Sequence, residues 1–140
     1  MIQAGTKVIT IRQPYATLIV LGLKEFETRK WRTHYRGPLV IHASKRKMKT
    51  PQLLLVDWLL SNVSRVYHDQ LKAFSYGAAV GRVELIECKP QSSYRKNIKR
   101  RERRVGNWDV DYAWKLAYPV QFESPIFARG YQGLWNWKAV

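Results

Sequence analysis

Gly22-Leu23-Lys24-Glu25-Phe26-Glu27-Thr28-Arg29-Lys30-Trp31 is the stretch on which the reading of this chain turns. Phe26 and Thr28 fall on one side of an extended backbone, and Glu25, Glu27, Arg29 and Trp31 on the other. That alternation predicts a strand with one wet face. Lys24 falls opposite the glutamates unless a bulge intervenes near Gly22. Upstream, Pro14 opens an apolar run, YATLIVLG, that Gly22 closes. Proline suits the first turn of a helix and glycine its end, so this run predicts a helix, buried because it is apolar nearly all round. Val8 to Ile11, before it, is a short β-prone segment.

Downstream, Arg36-Gly37-Pro38 is a turn signal, and Leu39 to Ser44 (LVIHAS) is a second β-rich run. Pro51 opens the longest helical candidate, which extends to Leu71. Gly77 to Cys88 (GAAVGRVELIEC) reads as a strand whose small residues admit another backbone closely. Lys89 to Asn107 is polar and basic, predicting a long surface loop or a helix too charged to pack. Tyr118 to Ile126 and Gly133 to Val140 are two further β-prone segments. Short strands mixed with two main helices indicate an α+β domain with a strongly bent sheet, open or closed. No internal repeat or second domain is visible, and 140 residues suit one domain spanning 1–140, with a basic insertion at about 89–107.

The formal net charge is +15. Thr28 to Val56 holds eight lysines and arginines and no acid, and Arg95 to Arg104 (RKNIKRRERR) holds seven with one glutamate. One-signed charge at this density is self-repelling and is offset by a polyanionic partner, of which nucleic acid is the commonest. With 46% hydrophobic residues and six tryptophans the chain can bury a core, so it is not a disordered basic tail. Cys88 is the only cysteine, which excludes an intramolecular disulfide and a cysteine-rich zinc site. The three histidines, His34, His42 and His68, lack ligand spacing, so no metal is expected. No GxxxxGK phosphate loop occurs, and no cofactor is implied. The N-terminal stretch lacks a signal-peptide pattern and no apolar run reaches membrane-spanning length. The expectation is a cytoplasmic protein without membrane contact.

Arg12-Gln13-Pro14-Tyr15-Ala16 followed by Gly22-x-Lys24-x-x-Glu27-x-Arg29-x-Trp31 resembles the ASCH domain (activating signal cointegrator homology), a relative of the PUA-like RNA-binding barrels. Arg36-Gly37 with LVIHAS, then GAAVGRVELIEC, then GYQGLWNW are similar to the family's later blocks and keep its order. The resemblance implies a small PUA-like β-barrel of short, mostly antiparallel strands flanked by two or three helices. It also implies a substrate cleft at the GxKxxExR motif. Some members resemble amidohydrolases that use a lysine, a threonine and a glutamate. Lys24 matches the lysine, but Glu27 stands at the threonine position and cannot serve as a hydroxyl nucleophile, so that activity is disfavoured. Ribonuclease activity, also attributed to the family, needs a base for the 2′-hydroxyl and cations for developing charge. Lys24, Glu27 and Lys45 are the candidate catalytic residues for it.

The same residues have binding roles. Lys24 can hold a phosphate. Arg29 can clamp one bidentately or pair with Glu27 as a structural ion pair. Gln13, beside Arg12, can address a base or cap the first helix. Tyr15 reads as core. His42 and Ser44 share a strand face as a polar pair at a cleft mouth. A hydrolase reading of them lacks an orienting carboxylate. Arg36, Lys45, Arg46, Lys47, Lys99, Arg100 and Arg101 are candidate phosphate contacts. Trp31 is the best stacking candidate, whereas Trp135 and Trp137 are expected to pack. The sequence thus predicts an RNA-binding or single-stranded-DNA-binding domain, with a metal-independent ribonuclease or nucleoside hydrolase in the same cleft as the alternative.

Overall fold

A computed structural model of the protein describes residues 2–138. The elements in order are β1 (Lys7–Ile11), α1 (Tyr15–Val20), β2 (Phe26–Arg29), β3 (Gly37–Ala43), α2 (Thr50–Asn62), β4 (Ala78–Pro90), α3 (Arg100–Val105), β5 (Tyr112–Phe127) and β6 (Leu134–Asn136). Short 3-10 turns lie at Arg65–Tyr67 and Gln91–Ser93. The final two residues of the predicted closing strand lie outside the described residues.

The strands form one sheet in the order β2-β5-β4-β3-β1-β6, curled into a half-barrel. β1 runs parallel to β3, with Val8 opposite Val40, and every other pairing is antiparallel. The fold is therefore α+β with mostly antiparallel strands and three helices, as the sequence implies. It is an open half-barrel, and β2 and β6 are its two ends.

α1 fills the concave face. Ala16 through Val20 are all buried, as a helix apolar all round must be. Ile19 and Val20 pack with Ile9, Leu39, Ile41, Val83 and Trp114 in the main core. Gly81 lets α1 come this close. A Cβ there would stand 2.3 Å from the Val120 carbonyl oxygen and 2.6 Å from Val20, so the small residues read in this strand do mark a tight approach. A second cluster, with Leu18, Leu55, Leu59, Leu71 and Val105, seats α2 and α3 against α1.

Three segments depart most from expectation. β5 begins at Tyr112, well before the predicted Tyr118. The long helix stops at Asn62 instead of running to Leu71. Asn62 Nδ2 donates back to the Trp58 carbonyl at 2.7 Å, and Ser64 accepts from the Val66 N–H to start a separate turn. Side chains of this kind offer the backbone an alternative to helix. The basic segment 89–107 is neither a free loop nor a helix too charged to pack. Tyr94 and Ile98 pack on Phe26 and Trp108, and α3 turns Glu102 and Val105 inward. Residues three apart share a helix face, so one buried stripe suffices to anchor a strongly charged helix. Among the described residues no helix is long and apolar enough to cross a membrane.

Candidate functional site

A hollow of about 970 Å³ opens where the sheet fails to close. Thr10 of β1 and His42 of β3 form its floor, Arg29 and Trp31 one wall, and the loop between β5 and β6 (Ala128–Gly133) the other. Ser44 and Lys45, just past β3, complete the rim. Arg29, Lys45 and Arg129 bring cationic groups to the lining, and none of the lining residues is acidic.

The floor is fixed by a hydrogen-bonded chain. His42 Nε2 lies 2.7 Å from the Ala128 carbonyl oxygen, which can only accept, so Nε2 carries the proton. Nδ1 is then an acceptor, 3.1 Å from the Thr10 hydroxyl, and Thr10 in turn accepts from the Trp135 indole at 3.0 Å. Burial holds the His42 pKa below its ordinary value, against the opposing pull of the Ala128 bond. A neutral, doubly bonded imidazole is a structural floor. It has no bond left for Ser44, whose Oγ accepts from the Arg46 N–H.

On the wall, Arg29 Nε donates to Glu27 at 2.7 Å and Nη2 to the Thr10 carbonyl at 3.1 Å. The structural pairing of Arg29 with Glu27 is therefore present, with Nη1 unbonded among the described residues. Trp31 is 38% exposed. Its ring rests edge-on against the buried Trp114, 4.8 Å between centroids. Across the hollow, Tyr131 packs against Trp135, and Arg129 lies 5.5 Å over the Tyr131 ring. Trp135 and Trp137 stack on each other, as a packing role requires.

The structure brings together Arg29, Trp31, His42, Ser44 and Lys45 from the residues singled out in the sequence. Lys24 is elsewhere. The Leu23 and Lys24 N–H groups both bond the Leu18 carbonyl, and the turn tucks Lys24 inward to 3% exposure. There its ammonium donates to the Phe26 carbonyl and faces Glu102 at 3.8 Å. Lys24, Glu27 and Lys45 are thus not gathered around one point, since Lys24 lines a different depression beside Lys115 and Pro119. Gln13 is buried. Its Oε1 accepts from the Thr17 N–H at 3.0 Å and its Nε2 donates to the Ser75 carbonyl at 2.9 Å, so it caps α1 and does not face the hollow. Arg12 is half-buried outside the hollow. Arg36, at the far end of β3 from His42, donates to the carbonyls of Thr33 and Tyr35. Arg46 and Lys47 are exposed beyond the rim, with Lys47 over the Tyr76 ring. Lys99, Arg100 and Arg101 lie at and in α3, by the opposite end of β2.

Thr10, Arg129 and Tyr131 are not singled out by sequence patterns. A signal exists for the last two, because Arg129-Gly130-Tyr131-Gln132-Gly133 is a glycine-punctuated basic and aromatic loop between two β segments. Among the described residues no group of three histidine, cysteine, aspartate or glutamate side chains is placed to hold a metal ion.

The protein is of the α+β half-barrel class, with a cationic, aromatic-rimmed hollow at its open seam. The ASCH domain model matches residues 9–129, and the chain belongs to the ASCH domain family. Activating signal cointegrator 1 from Homo sapiens is 30% identical over 93 residues, which cover 64% of this chain and 16% of that protein. The Mus musculus protein is 29% identical over the same coverage. The chain therefore matches only a small part of these relatives' length. The fold is similar to the crystal structure of ASCH from Zymomonas mobilis, with TM-score 0.55 and 14% identity over 96% of this chain and 88% of that one. Its S128A mutant protein gives TM-score 0.54 and 13% identity over 96% and 89%. These likenesses agree with the PUA-like α+β fold.

Proposed function

We propose that this ASCH domain binds nucleic acid, with single-stranded RNA as its preferred partner, in the hollow at the open seam of the sheet. One observation carries the reading: Arg29, Lys45 and Arg129 enter a lining with no acid, beside the exposed face of Trp31. Lys45 and Arg129 make no ion pair among the described residues, whereas Arg29 is partnered by Glu27 and offers only its unbonded Nη1. Unneutralised cations attract phosphates, and an exposed indole gives a base a stacking platform. Ser44 and Gln132 add a hydroxyl and an amide to the lining, groups suited to a ribose 2′-hydroxyl, which separates RNA from DNA. A buried lone Cys88 suits a reducing, cytoplasmic setting.

Fluorescence anisotropy with a labelled single-stranded RNA and its DNA counterpart tests the reading. Affinity should fall steeply with salt. Replacing Lys45 and Arg129 together by glutamine should reduce the log–log salt slope by about 1.4, at roughly 0.7 for each phosphate no longer neutralised on a single strand. No binding at low salt rejects the proposal, and equal binding of both strands rejects the RNA preference.

A further inference from the structure

The segment Arg95 to Arg104 has one acid, Glu102, and it points inward. At 4% exposure its Oε1 accepts from the Glu25 N–H at 2.5 Å, and its Oε2 faces the buried ammonium of Lys24 at 3.8 Å. A carboxylate taken out of water is costly unless a cation and donors meet it. Here the Lys24 ammonium and one N–H come from the stretch that leads into β2, Oε2 has no hydrogen-bond partner among the described residues, and burial holds the Glu102 pKa above the usual carboxylate range against the pull of Lys24. Two further residues reinforce the joint. Arg101 Nε donates to the Leu23 carbonyl at 3.1 Å, and Lys99 pairs with Glu25 at 3.2 Å. The acid and two of the cations are therefore turned toward the domain.

Arg100, Arg103 and Arg104 remain exposed and make no ion pair among the described residues. Two of them are nevertheless held in place. Arg103 Nη2 donates to the Arg95 carbonyl at 2.7 Å, and the Arg104 guanidinium lies 5.2 Å over the Trp58 ring. Fixed, unneutralised guanidinium groups on a docked helix are pre-arranged for phosphate.

We propose that α3 is a second phosphate-contact surface for the bound strand, and that Lys24 is its positioning residue, docking the helix through Glu102 without touching nucleic acid itself. The inference rests on the binding function proposed above. The motif lysine then acts indirectly: it secures the one acid that would otherwise weaken the basic face.

The test uses the full chain and a single-stranded RNA of about 20 nucleotides, long enough to leave the hollow. Replacing Arg100, Arg103 and Arg104 by glutamine should lower the salt slope by about 2, from three phosphates at roughly 0.7 each. K24E, which sets two carboxylates face to face, should lower it similarly and speed amide exchange across Arg100–Val105. The neutral pair K24Q/E102Q keeps the wild-type net charge, a donor for the Phe26 carbonyl and an acceptor for the Glu25 N–H, and should restore both slope and protection. An unchanged slope in the triple variant overturns the proposal. So does a K24Q/E102Q protein that is protected from exchange yet keeps the low slope, because Lys24 would then be contacting RNA directly. If K24E alone does not fold, the triple variant and the neutral pair decide. Failure of the parent reading looks different: wild-type protein would show no RNA affinity at low salt.

Discussion

The guanidinium of Arg29 donates to the carbonyl oxygen of Thr10 at 3.1 Å and so ties the end strand β2 to β1, its distant neighbour in sheet order. The same side chain holds Glu27 at 2.7 Å, which leaves a nearly buried carboxylate dependent on it. Arg29 thus straps a seam that backbone pairing leaves open and also forms one wall of the hollow. Arg29→Ala should cost about 2 kcal/mol of stability, the usual range for losing hydrogen bonds to a charged group and stranding its partner. Arg29→Lys should recover less than half of that, because an ammonium cannot reproduce the forked geometry. Urea denaturation midpoints check this. An Arg29→Ala protein within about 0.5 kcal/mol of wild type, the scatter of ordinary surface substitutions, would show that the strap carries no load.

His42 sets an acid limit on the fold. Its pKa is held below 6.5 by burial, while in the unfolded chain it returns to the ordinary value. As pH falls through about 6.5, the unfolded chain takes up a proton that the folded protein refuses, so stability falls toward acid until the folded pKa is also passed. His42→Gln, which keeps a donor for the Ala128 carbonyl, should flatten the profile between about pH 7.5 and 5.5, the window around the ordinary histidine value. Denaturant melts at constant ionic strength measure it. Parallel profiles for the two proteins would count against the buried neutral imidazole.

These two residues show how far local pattern reaches. His42 is legible as a polar side chain on a β-rich run. Its partners Thr10 and Ala128 lie 32 and 86 residues away, and nothing local names them. Strand, helix and strand around Pro14 and Gly22 follow from periodicity and punctuation, which are local properties. The place of Lys24 does not. Alternation predicts a lysine opposite the glutamates, but the tight turn onto Leu18 carries it inside, and its acid partner Glu102 sits far along the chain in a segment that composition marks as solvated. Gln13 is evenly balanced between two roles, and only the distant Ser75 carbonyl, which takes Nε2 and leaves Oε1 for the Thr17 N–H, settles that it caps. Arg29, Trp31 and Lys45 are each legible as candidates, but no local pattern brings them together, and the opposite wall requires the return of β6 beside β1.

The two glycines of that opposite wall separate crowding from backbone strain. A Cβ on Gly130 would stand 2.8 Å from both His42 Cε1 and the Thr10 hydroxyl oxygen. Both neighbours are locked in the floor, so the floor or the loop must shift. Gly130→Ala should cost about 1–3 kcal/mol, as overpacking usually does, and weaken RNA binding at the same time. Gly133 has φ +67° but nothing within 4 Å of a built Cβ. Gly133→Ala should carry only the left-handed conformational cost, about 1 kcal/mol, and leave affinity nearly intact. Thermal melts and anisotropy titrations on the pair decide. Equal affinity losses would mean that the floor is not part of the binding surface.

Trp31 offers the sharpest division between stacking and charge. Its ring edge is braced by Trp114, whose indole also donates to the Trp31 carbonyl at 3.4 Å, so the platform is held from behind while one side faces the hollow. Bases stack on such a surface regardless of sequence. Trp31→Ala should therefore weaken single-stranded RNA binding by about 1–3 kcal/mol, the range seen for losing one base–aromatic stack. It should leave the salt slope unchanged, because every phosphate keeps its cation. Trp31→Phe should keep most of the affinity. Lys45→Gln should do the reverse, reducing the slope by about 0.7 with little dependence on base identity. Titrations at several salt concentrations separate the two effects. A Trp31→Ala protein that loses slope instead of intercept would mean that Trp31 serves only to hold Arg29 and the surrounding cations in place, and that no base is stacked there.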